Sequence, residues 1–460
     1  MADLAHFSHA AMKVLLISAN ILTEPYPVYP LGLDYVAEAI GESHEVKISD
    51  LNDLKDYDAI KKIIRFFLPD IIGISIRNID NTDTIDPKGF IGSYKTIIAL
   101  IRSCSKSPIV LGGSGFTIFP AEVMEALQAD YGIIGEGERF SLLLNAIEKK
   151  EDVSSIPGVI TRRNKAQIPI PLDKSFASRI DINNSHLKFY LKRGGMLNLQ
   201  TKRGCNFKCI YCTYPHIEGS RLRLISPEEV ANTALKLQEA GAKYFFITDS
   251  AFNGDFSHST EVAQAFIKYG VSIPWGAFFA PKSPPKDYFK IMADAGLTHV
   301  EFGTESMSNK MLASYRKPFK INNVFDAHKL ANDAGLYVAH YFLLGGPGEN
   351  TDSLRETLSN IDKLDKTVLF FFCGLRIYPY TALYDIALSE GQISKDQNIL
   401  KPVFYQSGSL SSEEIINMVS RHAKGRMNWI IGAGGEQTAK IVSRMYDLGY
   451  SGLLWEHLIQ

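Results

Sequence analysis

The chain has 460 residues, enough for two or three domains, so a single small binding module does not account for it. Its 49 Lys+Arg and 50 Asp+Glu give a formal net charge of −1, without the basic footprint that nucleic-acid backbones require. Five cysteines, an odd number, do not read as a secreted disulfide framework, and no stretch approaches the roughly 18 apolar residues of a membrane span. A soluble, cytoplasmic protein is expected.

In chain order, residues 1–11 lack a basic and then apolar leader and are expected to be a ragged extension. From 12 to 150, short Val/Ile-rich runs at 14–18, 46–48, 71–76, 109–111 and 131–134 alternate with amphipathic segments. This βαβ rhythm predicts a doubly wound parallel sheet. Such sheets bind ligands outside the carboxyl ends of their strands, and the loops there are rich in Gly, Ser and Asn, so a cofactor is expected on that edge. Residues 151–195, with Pro157-Gly158, Arg162-Arg163-Asn164, Pro169 and Pro171, read as a linker with a hairpin. Between 196 and 400, runs at 196–201, 244–248, 271–277, 298–303, 337–344 and 368–377 alternate with helical patterns, which predicts a partial (β/α)6 barrel. After residue 401 the strand pattern stops, and a helical cap over the barrel mouth is expected to 460.

Three of the five cysteines, Cys205, Cys209 and Cys212, lie within eight residues after the first barrel strand. The chance of that spacing at this composition is about 6 in 10,000. Two metal chemistries fit. Structural zinc needs a fourth ligand, for which His216 is the nearest candidate. A [4Fe–4S] cube held by three thiolates keeps one iron open to a small molecule bearing an amine and a carboxylate. The loop after a barrel strand is where this fold places chemistry. Cys104 and Cys373 read as packing.

The C-x3-C-x2-C spacing resembles the radical SAM superfamily, and the resemblance extends beyond the cysteines. It implies that Tyr211 lies beside the adenine, and that Glu305 and Ser306, in Phe302-Gly-Thr-Glu-Ser306, bind the SAM moiety. Gly345 and Gly346, in Leu344-Gly-Gly-Pro-Gly-Glu349, and Arg376 and Tyr378, in Arg376-Ile-Tyr-Pro379, match segments near the adenosine. Asp249 stands where the family often carries an acidic segment, to orient SAM or substrate, with a helix N-cap as its other reading.

Ahead of such a barrel, the first sheet resembles a cobalamin-binding domain. The matching segments are Tyr29-Pro-Leu-Gly-Leu33, Val110-Leu-Gly-Gly113 and Asp130-Tyr-Gly-Ile-Ile-Gly-Glu-Gly-Glu138. The resemblance implies corrin contacts from Ser18, Asn20, Ser75, Arg77, Asn78, Gly112, Gly113, Ser114, Gly135, Glu136 and Gly137. A dinucleotide Rossmann fingerprint is absent after the first strand, where the chain reads Ser18-Ala-Asn-Ile-Leu22. The D-x-H-x-x-G motif that supplies a histidine to cobalt is approached only by Asp326-Ala-His328-Lys-Leu-Ala331, in a helical stretch of the barrel. Cobalamin bound without a protein histidine is therefore implied, with residues 75–78 against the lower corrin face.

Together the segments resemble the cobalamin-dependent radical SAM enzymes of the methylase type. That implies a [4Fe–4S] cluster, S-adenosyl-L-methionine and cobalamin as cofactors, and an electron donor such as flavodoxin or ferredoxin. It also implies methyl transfer from methylcobalamin to a carbon of a small-molecule or lipid-like substrate through a 5′-deoxyadenosyl radical. A non-methylating radical rearrangement, cyclisation or carbon–carbon bond formation is the enzymatic alternative. A non-catalytic cobalamin or iron–sulfur sensor is the alternative from another class.

Overall fold

The computed structural model describes residues 11–459 apart from 24–25, 55, 165–168, 173–184 and 433–434, so the expected extension at 1–11 lies almost wholly outside the described residues. The first sheet comprises β1 (Lys13–Ser18), β2 (Glu45–Asp50), β3 (Ile71–Ser75), β4 (Ile109–Gly112), β5 (Tyr131–Ile133) and β6 (Val159–Thr161), in the order β2-β1-β3-β4-β5-β6. The first five strands pair in parallel, and β6 closes the edge antiparallel to β5. Among the described residues, the segment expected to hold a hairpin contributes a single strand, added to the first sheet.

Alternation along β1 shows why the sheet is doubly covered. Leu15 and Ile17 join the apolar layer formed with helices Asp58–Phe67 and Ile91–Arg102, while Val14 and Leu16 join the layer formed with Leu31–Ile40 and Phe140–Lys149. A strand sealed on both faces has to be apolar throughout, which is the run seen in the sequence.

The second sheet uses β7 (Met196–Leu199), then, beyond a small antiparallel ladder of β8 (Lys202–Arg203) and β9 (Arg223–Leu224), β10 (Tyr244–Ile247), β11 (Trp275–Phe279), β12 (Leu297–Glu305), β13 (Tyr337–Leu344) and β14 (Thr367–Cys373). β15 (Leu375–Arg376) pairs antiparallel with β16 (Phe404–Tyr405), and β17 (Trp429–Ile431) adds a seventh parallel strand beside β14. Residues after 401 are mostly helical, as expected, yet they complete the barrel sheet. The seventh strand was illegible because three residues, Trp429-Ile-Ile431, carry too little periodicity to stand apart from a helix. The run expected at 271–277 starts later, at Trp275, since Pro274 ends an exposed turn. The run expected at 368–377 breaks at Gly374, whose φ of +104° lies in the left-handed region.

The two faces of this sheet differ. Outward side chains such as Ala277, Phe302, Phe342 and Phe371 are sealed under helices, whereas the lumen positions Phe278, Gly303, Tyr341, Leu343, Phe370 and Phe372 stay partly exposed. The C-terminal segment divides between the two ends of the sheet: Ser412 and Ile415 stand beside Gly374 and Gly345 at the carboxyl ends of β14 and β13, whereas Trp455 packs with Met196, Tyr244 and Val368 near the amino ends of the strands, where the Gly452 amide donates to the Gly194 carbonyl.

Candidate active site at the sheet edge and barrel mouth

All eleven first-domain residues expected at a corrin line one cavity of about 510 Å³: Ser18, Asn20, Ser75, Arg77, Asn78, Gly112, Gly113, Ser114, Gly135, Glu136 and Gly137. Its opposite wall includes Asn198, Gln200, Arg203, Thr248 and Tyr378 from the barrel. The volume falls in the range of cofactor clefts. The edge is a bare cradle. A Cβ on Gly112 would meet nothing closer than the Ile133 carbonyl at 3.9 Å, whereas one on Gly113 or Gly115 would strike the carbonyls of Ile76 or Arg77 at 2.6 and 2.9 Å. The β4 loop therefore lies flat against the β3 loop and presents backbone, and Ser114 Oγ donates to the Arg77 carbonyl at 2.9 Å. Such a platform suits a broad, flat ligand such as a corrin. Arg77 is exposed and makes no ion pair among the described residues.

Glu136 lines the same cavity, but its carboxylate is engaged. Oε1 accepts from Arg203 at 3.3 Å and from Arg223, and Oε2 accepts from the Leu172 amide at 2.6 Å. Arg203 also reaches Glu138 at 2.7 Å and lies 4.6 Å from the centre of the Tyr35 ring. This buried guanidinium, two residues before Cys205, ties the cysteine loop to the first domain, a use that planar guanidinium geometry favours.

The cysteine loop starts at Gly204, whose φ is +90° and where a Cβ would fall 2.1 Å from the Arg221 carbonyl, so only glycine fits. Backbone bonds fix the rest: Cys205 N to Gly219 O at 3.0 Å, Ile210 N to Tyr315 O at 3.2 Å, and Leu383 N to Ile210 O at 2.8 Å. The thiols of Cys205, Cys209 and Cys212 lie near enough to act on one another electrostatically. Burial raises the Cys209 thiol and pushes that of Cys212 up to about 12. Thiolates there need a bound cation, which is the chemistry a three-thiolate iron–sulfur site supplies. His216, the fourth-ligand candidate for zinc, is engaged elsewhere: its ring stacks on Tyr380 at 4.2 Å and Nε2 contacts the Thr117 carbonyl at 3.3 Å.

Above the loop, Tyr211 and Glu305, both expected at SAM, bond to each other. The Tyr211 hydroxyl donates to Glu305 Oε1 at 2.5 Å, and Lys317 Nζ reaches the same oxygen at 2.9 Å. Burial opposes the Lys317 charge, but the Glu305 carboxylate outweighs it and its pKa is raised. Glu305 Oε2 is buried without a hydrogen-bond partner. The residue has φ +60°, at a register shift between β12 and β13. A strained, non-glycine backbone carrying an unsatisfied carboxylate marks a group held out for a ligand, here one with amine or hydroxyl donors such as SAM.

Four other expected positions make bonds within the protein. Asp249 does not cap a helix: it accepts from Thr201 N (2.9 Å), Thr201 Oγ1 (2.6 Å) and Lys202 Nζ (2.9 Å), all buried. Ser306 is sealed in a polar knot, 2.9 Å from Thr357 Oγ1. Arg376 bridges the domains through Asp80 at 2.9 Å and the Ile399 carbonyl at 2.7 Å. Gly345 donates to Glu349, and a Cβ on Gly346 would lie 2.2 Å from Tyr315, so these glycines admit side chains of the protein itself. Tyr378 lines the cavity shared with the first sheet.

Sequence reasoning missed Lys317, Arg203 and Glu301. Lys317 has no motif, being joined to Glu305 only through the fold. The pair Lys202-Arg203 directly before Gly-Cys was a signal, because two cations at a strand end require buried partners. Glu301, between Val300 and Phe302, was also visible as an inward charge.

Comparisons with known proteins agree with this geometry. The B12 binding domain model matches residues 17–143, and the Radical SAM superfamily model matches residues 199–361. The chain is 24% identical to a tryptophan 2-C-methyltransferase of Streptomyces laurentii, over 80% of this chain and 73% of that protein. It is 28% identical to an uncharacterized methyltransferase of Pyrococcus horikoshii, over 78% of each. Its fold is similar to that of the radical S-adenosylmethionine methyltransferase TsrM of Kitasatospora setae, solved with tryptophan substrate and a SAM analogue, with a TM-score of 0.89, 22% identity, and 97% of this chain and 98% of that chain covered.

Proposed function

Because this chain belongs to the cobalamin-dependent radical SAM methylase family, we propose that it methylates a carbon of a small-molecule or lipid-like substrate through a 5′-deoxyadenosyl radical. The observation that carries this reading is the shared cavity: the bare glycine edge of the first sheet and the barrel residues beside the cysteine loop wall the same space. Methyl carrier, substrate and radical source must meet within a few ångströms for such a transfer.

Bound SAM would supply the methyl group, leaving S-adenosylhomocysteine, and a second SAM, cleaved with one electron to methionine, would supply the 5′-deoxyadenosyl radical that takes the substrate hydrogen. Cobalamin would carry the methyl group to the resulting substrate carbon radical, and a low-potential donor such as flavodoxin or ferredoxin would supply one electron for the cleavage, through the cluster, and one to restore the corrin. Cys205, Cys209 and Cys212 hold the cluster. Glu305 and Tyr211 position SAM, with Lys317 fixing the carboxylate. Arg77, exposed at the cavity and in no ion pair among the described residues, would place positive charge beside a bound corrin.

Anaerobic incubation of the reconstituted enzyme with SAM and a reductant tests this. S-adenosylhomocysteine and 5′-deoxyadenosine together are expected, and Cys212→Ala abolishes the second. Formation of 5′-deoxyadenosine alone would replace methylation by a rearrangement reading. Loss of neither product in Cys212→Ala would end the radical reading.

A further inference from the structure

Glu301 lies midway along β12, between Phe278 of β11 and Ala339 of β13 in register. Strand alternation puts it on the lumen face, two residues below Gly303 and four below Glu305. It is fully buried. Oε1 accepts the Trp455 indole N–H at 2.9 Å, and Oε2 has no hydrogen-bond partner. Burial raises its pKa to about 7, only partly offset by Trp455 and the neighbouring Tyr341 hydroxyl. No Lys or Arg pairs with it among the described residues. A buried carboxylate left half-satisfied is costly, so its retention calls for an explanation.

Its surroundings supply one. Phe278 stands beside Glu301 on the lumen face, and Tyr341 and Phe370, in register with Gly303 one step above, are stacked at 4.7 Å; all three keep partial exposure in a sheet whose outer face is sealed. Tyr26, from the first domain, enters the same cluster against Phe246 at 6.4 Å. Its hydroxyl lies within electrostatic reach of both Glu301 and the cavity-lining Arg77. The aromatic rings offer faces to a flat apolar group and to a cation, and the free oxygen offers a single acceptor.

We propose that this level of the lumen is the substrate subsite and that it takes a ring-bearing amine, with the ring against Phe278, Tyr341 and Phe370 and the ammonium on Glu301 Oε2. The inference rests on the function proposed above and names the substrate class for that reaction. Glu301 is here a specificity residue. It is not asked to move a proton.

Three probes that share the phenethyl group test it on the reconstituted holoenzyme by calorimetry: phenethylamine, ethylbenzene and 3-phenylpropionate. The amine is expected to bind on the order of tenfold more tightly than the hydrocarbon, and the acid more weakly than both. Glu301→Gln is expected to remove the amine's advantage while leaving ethylbenzene binding within about twofold, and Phe370→Ala to weaken amine and hydrocarbon alike. Equal affinity of the three probes for the wild type, absence of binding at millimolar concentration, or an advantage that survives Glu301→Gln would each overturn the proposal. The wild-type comparison holds even if a variant fails to fold. The same preparation is assayed for S-adenosylhomocysteine and 5′-deoxyadenosine. If both form while the probes do not discriminate, the substrate class is wrong and the reaction stands; if neither forms while the amine is preferred, the reverse holds.

Discussion

The edge of the first sheet and the mouth of the barrel are both carboxyl ends of parallel strands, yet they use polar sequence differently. On the first sheet the expected ligand residues remain at the cavity, because loops such as 112–115 are backbone and small side chains whose bonds run to the neighbouring β3 loop and leave the edge open. At the barrel mouth Asp249, Ser306 and Arg376 are drawn into internal bonds, and only Tyr211 and Glu305 converge beside the cysteines. A glycine edge has one obvious use. A buried polar side chain has two, ligand or scaffold, and its partners decide which.

The difference can be pressed hardest at Asp249. Asp249→Asn keeps the shape but leaves Lys202 as an unpaired buried cation, so a loss of ~3–5 kcal/mol in unfolding free energy is expected. If instead SAM affinity falls while stability holds, Asp249 belongs with Glu305. Glu301 gives the next largest effect. Its carboxyl is raised from 4.5 to about 7 by burial, so the folded state holds the proton more tightly than the unfolded chain does. That stability is complete below about pH 4.5 and is lost as pH rises toward 7, a fall of ~3 kcal/mol that Glu301→Gln should lack in denaturant titrations across that range.

On the corrin side, Gly112→Val adds a side chain to open space, since its Cβ meets nothing nearer than 3.9 Å. Overfilling the cradle should weaken corrin retention ~10-fold, read from the absorbance kept after gel filtration, with unfolding free energy within ~1 kcal/mol of the wild type. Ser306→Ala should show the smallest change, ~1 kcal/mol of stability from the lost Thr357 bond, with SAM affinity unaltered by equilibrium dialysis. A loss of SAM affinity there would return Ser306 to the site.

These contrasts explain how much the sequence disclosed. The doubly wound sheet was legible because strands such as β1 and β3, covered on both faces, must be apolar without interruption. The cysteine triplet was legible because its ligands are neighbours in the chain. The pairing of Glu305 with Lys317 was not, because the two meet across an intervening helix, and Trp429-Ile-Ile431 gave no strand signal because its parallel partner, β14, is contributed by residues some sixty positions earlier. Local pattern reports what a residue can do, and long-range pairing selects among the possibilities.

The bond between Trp455 and Glu301 spans 154 residues and sits at the base of the barrel, beside a strand that is itself laid down late in the chain. During synthesis, β7 to β14 therefore emerge and pair while the floor is missing and one flank is still open. Contacts of such sequence separation form slowly, and the inner aromatic wall stays wetted until the tail docks. The inner wall of the sheet thus stays open from below until the segment bearing Trp455 has docked.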